Sequence, residues 1–326
     1  WLMLNSRADP ERGGAPLPLD LAVLYLFHIN KSGAARTFHL IATNPAPQPV
    51  TAQLRGSWYT SAEEPLLGAG TGQSHAVAAD WLEGQLRLDA PFVIPSGKGA
   101  QIFSAPMPSG AMIDGRLEID ADAGLYFYSV VTTSGDSNHA INLSQGAPAP
   151  GLLALPGPNA YGREGGVYAA SGWDAAPTLA LPATDAWLAL ALNTSAKFAL
   201  DGVTLQDQTA PALMHLSDSS DRTHGNYGHR YRLDAHVCNH GPAHRALRLR
   251  FVSRYTAAED IPSQTYNGPV RVAGAVVEVS TRPTAPSVDL GVWTLAPGAC
   301  QDLPIDLYIP GLITITQELI WESLAP

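Results

Sequence analysis

Long apolar runs are missing from this chain. The longest candidate, LDLAVLYLFHI from Leu19 to Ile29, stops short of the roughly 18 to 20 residues an apolar helix needs to cross a bilayer. No transmembrane segment is therefore expected. Cysteine is down to two residues, Cys238 and Cys300, which excludes a disulfide-dense scaffold and any cluster held by cysteines alone. Lysine occurs only at positions 31, 98 and 197, and the arginines are scattered through a chain of formal net charge −10. That distribution leaves no footprint for a phosphate backbone and excludes nucleic acid as an expected partner. There is no G-x-S-x-G elbow, no Walker loop and no G-x-G-x-x-G opening a helix, so hydrolase, nucleotide and dinucleotide readings have no support. GAGTGQ (Gly68 to Gln73) is glycine-rich but reads as a loop between strands.

What is abundant is turn chemistry. Gly 30 and Pro 27, with 45% hydrophobic and only 15% charged residues, suit many short strands better than long helices. At 326 residues the chain exceeds one ordinary sandwich. Two stretches echo one another: FHLIATNPAPQPVTAQLRGSW (Phe38 to Trp58) with FVIPSGKGAQIFSAPMP (Phe92 to Pro108), and LDAHVCNHGPAHRALRLRFVS (Leu233 to Ser253) with WTLAPGACQDLPIDLYIPG (Trp293 to Gly311). In each, an alternating strand runs into an asparagine (Asn44, Asn239), turns through small residues, and departs as a second strand. A Pro and Gly turn later opens another strand. The pattern resembles the immunoglobulin-like modules of bacterial surface proteins. The expected fold is all-β, two tandem antiparallel β-sandwich domains of immunoglobulin-like type, residues 1–148 and 149–326, divided in the Pro- and Gly-rich stretch Gln145 to Gly166. A start at Trp1 without Met fits a trimmed or signal-cleaved chain.

Five of the ten histidines fall within Thr223 to His244. Written as a strand, Tyr231, Leu233, Ala235 and Val237 form the core side, so His236, Cys238 and His240 share the opposite face with Arg230, Arg232 and Asp234. The same parity applied to Leu303, Ile305, Leu307 and Ile309 puts Cys300 outward with Asp302 and Asp306. A disulfide Cys238–Cys300 joining two strands is one expectation; its sulfur is then no thiolate ligand, and the histidines bind alone. The other is a copper site made of some subset of His224, His229, His236, His240 and His244, since imidazole suits copper and copper heads the affinity order. Arg230, Arg232 and Arg245 would then steer an anion such as superoxide to a redox centre of superoxide dismutase-like chemistry. The H-x-H ligand pair of that enzyme family is absent, and a solvated outer strand face explains the same histidines.

At DRTHGNYGHRYRLD (Asp221 to Asp234) the sequence resembles a family of exported bacterial, mostly cyanobacterial, cell-envelope proteins catalogued as a domain of unknown function. HGNYG is the specific part of that likeness; TNPAPQPVTAQL, VIPSGKGAQIFSAPMP and IDGRLEIDADAGLYFYSVV extend it over most of the chain. The resemblance implies an exported, extracellular or envelope location and a β fold. Partners are then other envelope or surface-layer proteins, or further copies of the chain through open strand edges. Two functions follow as expectations: a copper-dependent oxidoreductase, or a non-catalytic structural or interaction module of a surface assembly.

Overall fold

The computed structural model describes residues 2–5, 22–61, 73–144, 164–195, 206–215, 219–253, 265–311 and 316–325. In chain order the strands and helices of the first half are β1 (Leu2–Asn5), β2 (Ala22–Ile29), β3 (Arg36–Thr43), β4 (Val50–Thr60), α1 (Gln73–Glu83), β5 (Leu88–Ile94), β6 (Gly99–Met107), β7 (Met112–Ala121), β8 (Tyr126–Thr132) and α2 (Ser137–Leu143). The second half follows with β9 (Gly166–Tyr168), β10 (Gly172–Ala175), β11 (Thr178–Ala180), β12 (Ala186–Leu192), β13 (Ala212–His215), β14 (Arg230–Cys238), β15 (Arg245–Ser253), β16 (Tyr266–Val272), β17 (Ala275–Thr281), β18 (Ser287–Leu295), β19 (Cys300–Tyr308) and β20 (Gln317–Leu324). The all-β expectation holds, and the sheets are antiparallel apart from one edge.

The first compact unit comprises Trp1–Pro65, Leu86–Ala169 and Pro211–Thr223. Its sheets run β1-β8-β3-β6 and β2-β7-β4-β5, with β9 and β13 as a separate pair. Period-two alternation builds its core: Val50, Ala52 and Leu54 of β4 are buried while Thr51, Gln53 and Arg55 are exposed. Those inward residues meet Ala42 of β3, Ile94 of β5, Ile119 of β7 and Phe127 of β8 in one apolar cluster drawn from both sheets. On the other side of β3, Ile41 packs with Tyr128, Val130 and Ala140, so α2 covers that face. Asp136 caps α2 by accepting from the Asn138 amide at 2.9 Å.

The second unit comprises Leu66–Gln85, Ala170–Ala210 and His224–Pro326. Its sheets run β10-β14-β19-β16-β17, with β11 also on β14, and β12-β20-β15-β18. One cluster joins Tyr231, Leu233, Ala235 and Val237 of β14 with Leu247, Leu249 and Phe251 of β15, Leu303, Ile305 and Leu307 of β19, and Trp321 of β20. The fold corrects the expected layout twice. Strands β10 and β11 run parallel to β14, on either side of Pro177, whose carbonyl accepts from the His236 amide at 2.9 Å. The units also do not divide the chain at 148/149. Helix α1 lies between β4 and β5 in sequence, yet its Ala78 and Leu82 are buried with Tyr308 of β19. The β9·β13 pairing keeps Ala212–His215 in the first unit. Gln73 thus opens a helix, and the rest of GAGTGQ, like residues 145–163, lies outside the described residues.

The sequence echo is a topological one. Pairings β2·β7, β3·β6, β4·β5 and β4·β7 in the first unit recur as β12·β20, β14·β19, β15·β18 and β15·β20 in the second. Each unit also fastens its sheet-to-sheet connections with a buried asparagine. Asn44 donates its amide to Gln48 O at 2.8 Å and Ile94 O at 2.9 Å, accepts from Ala46 N at 2.8 Å, and its carbonyl takes the Gly97 amide at 3.1 Å. Asn239 repeats every bond with Ala243 O at 2.8 Å, Leu295 O at 3.0 Å, Gly241 N at 3.0 Å and Gly298 N at 2.7 Å. A third copy, Asn30, does so with Ala34 O, Met107 O, Ser32 N and Gly110 N. The partner glycines sit at φ 63, 73 and 82°, a region that penalises any other residue type.

Candidate functional site: the outer face of β14 and β19

Strand β14 obeys the expected parity. Tyr231, Leu233, Ala235 and Val237 are at most 2% exposed, while Arg232, Asp234 and His236 face outward. Its antiparallel register with β19 sets His236 opposite Asp302 and Cys238 opposite Cys300 on successive rungs of one face, but Cys238, expected outward, is buried at 5% exposure at the end of the strand while Cys300 is exposed. Cys238 and Cys300 form a disulfide, as expected. Asp302 Oδ1 lies 2.6 Å from His236 Nδ1. Further along the face, Arg230 meets Asp306 through two bonds of 2.9 and 2.5 Å, and Arg232 donates to Asp174 of β10 at 2.9 Å. Arg245 opens β15, buried, with Nε on Ser323 Oγ at 2.9 Å and Nη2 on Asp185 at 2.6 Å. The three arginines expected to steer an anion are each matched by a carboxylate, which cancels locally the field that steering needs.

The five histidines are spread over both ends of the strand. His224 and His229 are buried before β14 begins, the former with Nδ1 3.2 Å from Ser195 Oγ. His236 lies seven residues beyond His229, about 23 Å along an extended strand, and His240 and His244 are exposed in the turn that follows. Among the described residues, the group of three or more metal-capable side chains whose ligand atoms lie within 4.8 Å of one another is His236, Cys238 and Cys300. Both sulfurs of that group are in the disulfide. The chain therefore brings one of the five histidines beside the cysteines and holds the buried pair far from it.

The HGNYG stretch has a structural explanation. Asn226 adopts φ 47° and Gly228 φ 76°, turning the chain into β14. Asn226 Nδ2 donates to Asn193 Oδ1 at 3.1 Å and Tyr231 Oη at 3.3 Å, and that hydroxyl donates to Gln208 Oε1 at 3.1 Å. Burial pushes the Tyr231 phenol well above its ordinary range, against a smaller opposing effect of the bonds from Asn193 and Asn226. Reasoning from the sequence missed this network and the carboxylate partners. Asp302 and Asp306 were readable as outward, but which rung each occupies depends on the β14·β19 register, which no local pattern specifies.

No curated protein matches the chain. Among solved structures it is similar to an anti-sigma factor domain-containing protein from Clostridium clariflavum, at 8% identity over 93% of this chain and 79% of that one, with a TM-score of 0.20. It is also similar to the CupB6 tip adhesin from Pseudomonas aeruginosa, at 10% identity over 94% and 89%, with a TM-score of 0.13. Scores of this size assign no shared fold. Residues 142–265, which carry HGNYG, β14 and β15, match the family described as protein of unknown function, DUF3370.

Proposed function

We propose that this chain is an exported protein of the bacterial cell envelope, built of two tandem immunoglobulin-like sandwiches, that serves as a non-catalytic structural or interaction module of a surface assembly. One observation carries the reading: the side chains with chemistry to offer on β14 and β19 are spent on holding strands together. Arg230, Arg232, His236, Cys238 and Cys300 all bond across to a neighbouring strand. The disulfide suits an oxidising compartment. The outer side of the β12-β20-β15-β18 sheet supplies contact surface, with Trp187 59% and Val292 61% exposed on the two edge strands. Between them Glu322 accepts from Arg248 and Arg250. Partners are other envelope proteins or copies of the chain.

The test is immunodetection of the chain in envelope and cytosolic fractions of the producing bacterium, together with copper and zinc analysis of the purified protein after dialysis. Envelope enrichment without stoichiometric metal is expected. A cytosolic chain sinks the proposal, and retained copper with chelator-sensitive superoxide removal replaces it with the copper-dependent oxidoreductase.

A further inference from the structure

The rung pair His236/Asp302 and Cys238/Cys300 goes beyond a strand fastening. We propose that reduction of the Cys238–Cys300 disulfide converts this face into a binding site for a thiophilic divalent ion, held by both thiolates and the His236 imidazole. The three ligand atoms already lie within 4.8 Å of one another. A tetrahedral Zn²⁺ with metal–ligand bonds near 2.0–2.3 Å needs its ligand atoms roughly 3.5–3.8 Å apart, so side-chain rotation alone closes the site. The backbone needs no help from the disulfide to stay in register. Just beyond Cys238, Asn239 N donates to Ala299 O at 2.9 Å, Gly298 N to Asn239 O at 2.7 Å, and Asn239 Nδ2 to Leu295 O at 3.0 Å. On the other side, Val237, Ala235 and Leu233 are buried opposite Gln301, Leu303 and Ile305.

The carboxylate completes the arrangement. With Asp302 2.6 Å from His236 Nδ1, the ring proton belongs on that nitrogen and Nε2 carries the lone pair offered to a metal, the carboxylate–histidine–metal relation that orients imidazole ligands. Two thiolates and one imidazole select a soft or borderline ion and leave a fourth position open. Cys300 and His236 are exposed, so a reductant and an ion both reach the face. The chemistry balances with a dithiol as reductant: its thiolate attacks one sulfur, the S–S bond breaks, two electrons pass to the cysteines, and the dithiol leaves as its own disulfide. Each cysteine takes up a proton, and the ion displaces both protons on binding. The site is distinct from a copper centre of histidines, since only His236 of those five takes part.

Titration of the full chain with cobalt chloride, before and after anaerobic reduction, tests the proposal. Expected is one Co²⁺ per chain with a sulfur-to-cobalt charge-transfer band and tetrahedral d–d bands in the reduced protein only. His236→Ala should weaken cobalt binding by at least about tenfold, and Asp302→Asn by about tenfold. Circular dichroism follows the fold throughout. Absence of the band in the reduced chain, loss of β structure on reduction, or cobalt affinity unchanged in His236→Ala would each overturn the proposal.

Discussion

At the residue scale, the buried asparagines are the side chains with most to lose. Asn239 is 0% exposed and Asn44 2%, and each amide satisfies carbonyls of two separate connections. Replacing either with alanine strands those buried groups, at a cost of about 2–3 kcal/mol by urea denaturation. The two losses should add in the double variant, because the residues share no partner. A gain is available at Ala273, which with Gly274 forms the tip of the β16–β17 hairpin at φ 48 and 87°. An Asn-Gly pair fits that geometry better, so Ala273→Asn is expected to stabilise by about 0.5–1 kcal/mol, read as a higher denaturant midpoint. Much at this scale was legible: alternation predicted which side of β14 is core, and small residues after Asn44 and Asn239 predicted turns. What alternation cannot convey is partnership. Asn30, in the local triplet Asn30-Lys31-Ser32, carries no sign of this in its own neighbourhood; only the return of Met107 and Gly110 from far along the chain makes it a third fastening.

At the element scale, β14 is the organising strand of its sheet, pairing with β19, β10 and β11. The disulfide at its end links residues 62 apart in sequence. Removing it with Cys238→Ser and Cys300→Ser together should lower the stability of the second unit by about 2–4 kcal/mol through restored freedom of the unfolded chain. The first unit's unfolding transition should not move; a shift in both transitions, resolved by calorimetry, would contradict this assignment. Strands with one solvated face, such as β4 and β14, were readable from period two, whereas β20, buried along nearly its whole length, shows no such alternation and α1 was overlooked. Val77, Ala78, Trp81 and Leu82 have helical spacing, but the partner of Ala78, Trp81 and Leu82 is Tyr308, more than two hundred residues later. The parallel edge made by β10 and β11 was equally hidden, because parallel and antiparallel strands share the same local pattern.

At the scale of the whole molecule, the threaded path of the chain has a measurable effect. A fragment 149–326, the half that composition alone suggests, lacks α1 and leaves Tyr308 uncovered. Loss of the Ala78 and Leu82 burial should cost it about 3 kcal/mol relative to the same unit in the full chain, seen as a lower urea midpoint. Alkali offers a second readout. Burial holds the Tyr231 and Tyr266 phenols protonated to unusually high pH in the folded chain, while unfolded tyrosines ionise near pH 10. Above about pH 10 the unfolded state therefore binds fewer protons, and the second unit should lose up to roughly 1.4 kcal/mol per pH unit for each tyrosine. Melting followed between about pH 8 and 11 should show that decline, flattened in Tyr231→Phe with Tyr266→Phe.

The asparagine fastenings also dictate where such a chain can acquire new parts. A connection tied at both ends to another connection resists insertion, whereas the stretch between the third and fourth strands of the shared topology is gripped by none of the three asparagines. In the first copy of that topology this stretch carries α1, although the helix packs within the second unit, and in the second copy it carries the β16–β17 hairpin. A peptide grafted after Gly274, so that the Ala273 amide keeps its 2.9 Å bond to Pro304 O, should be carried with little penalty to either sheet, making this tip the natural port for epitopes, tags or designed ligands.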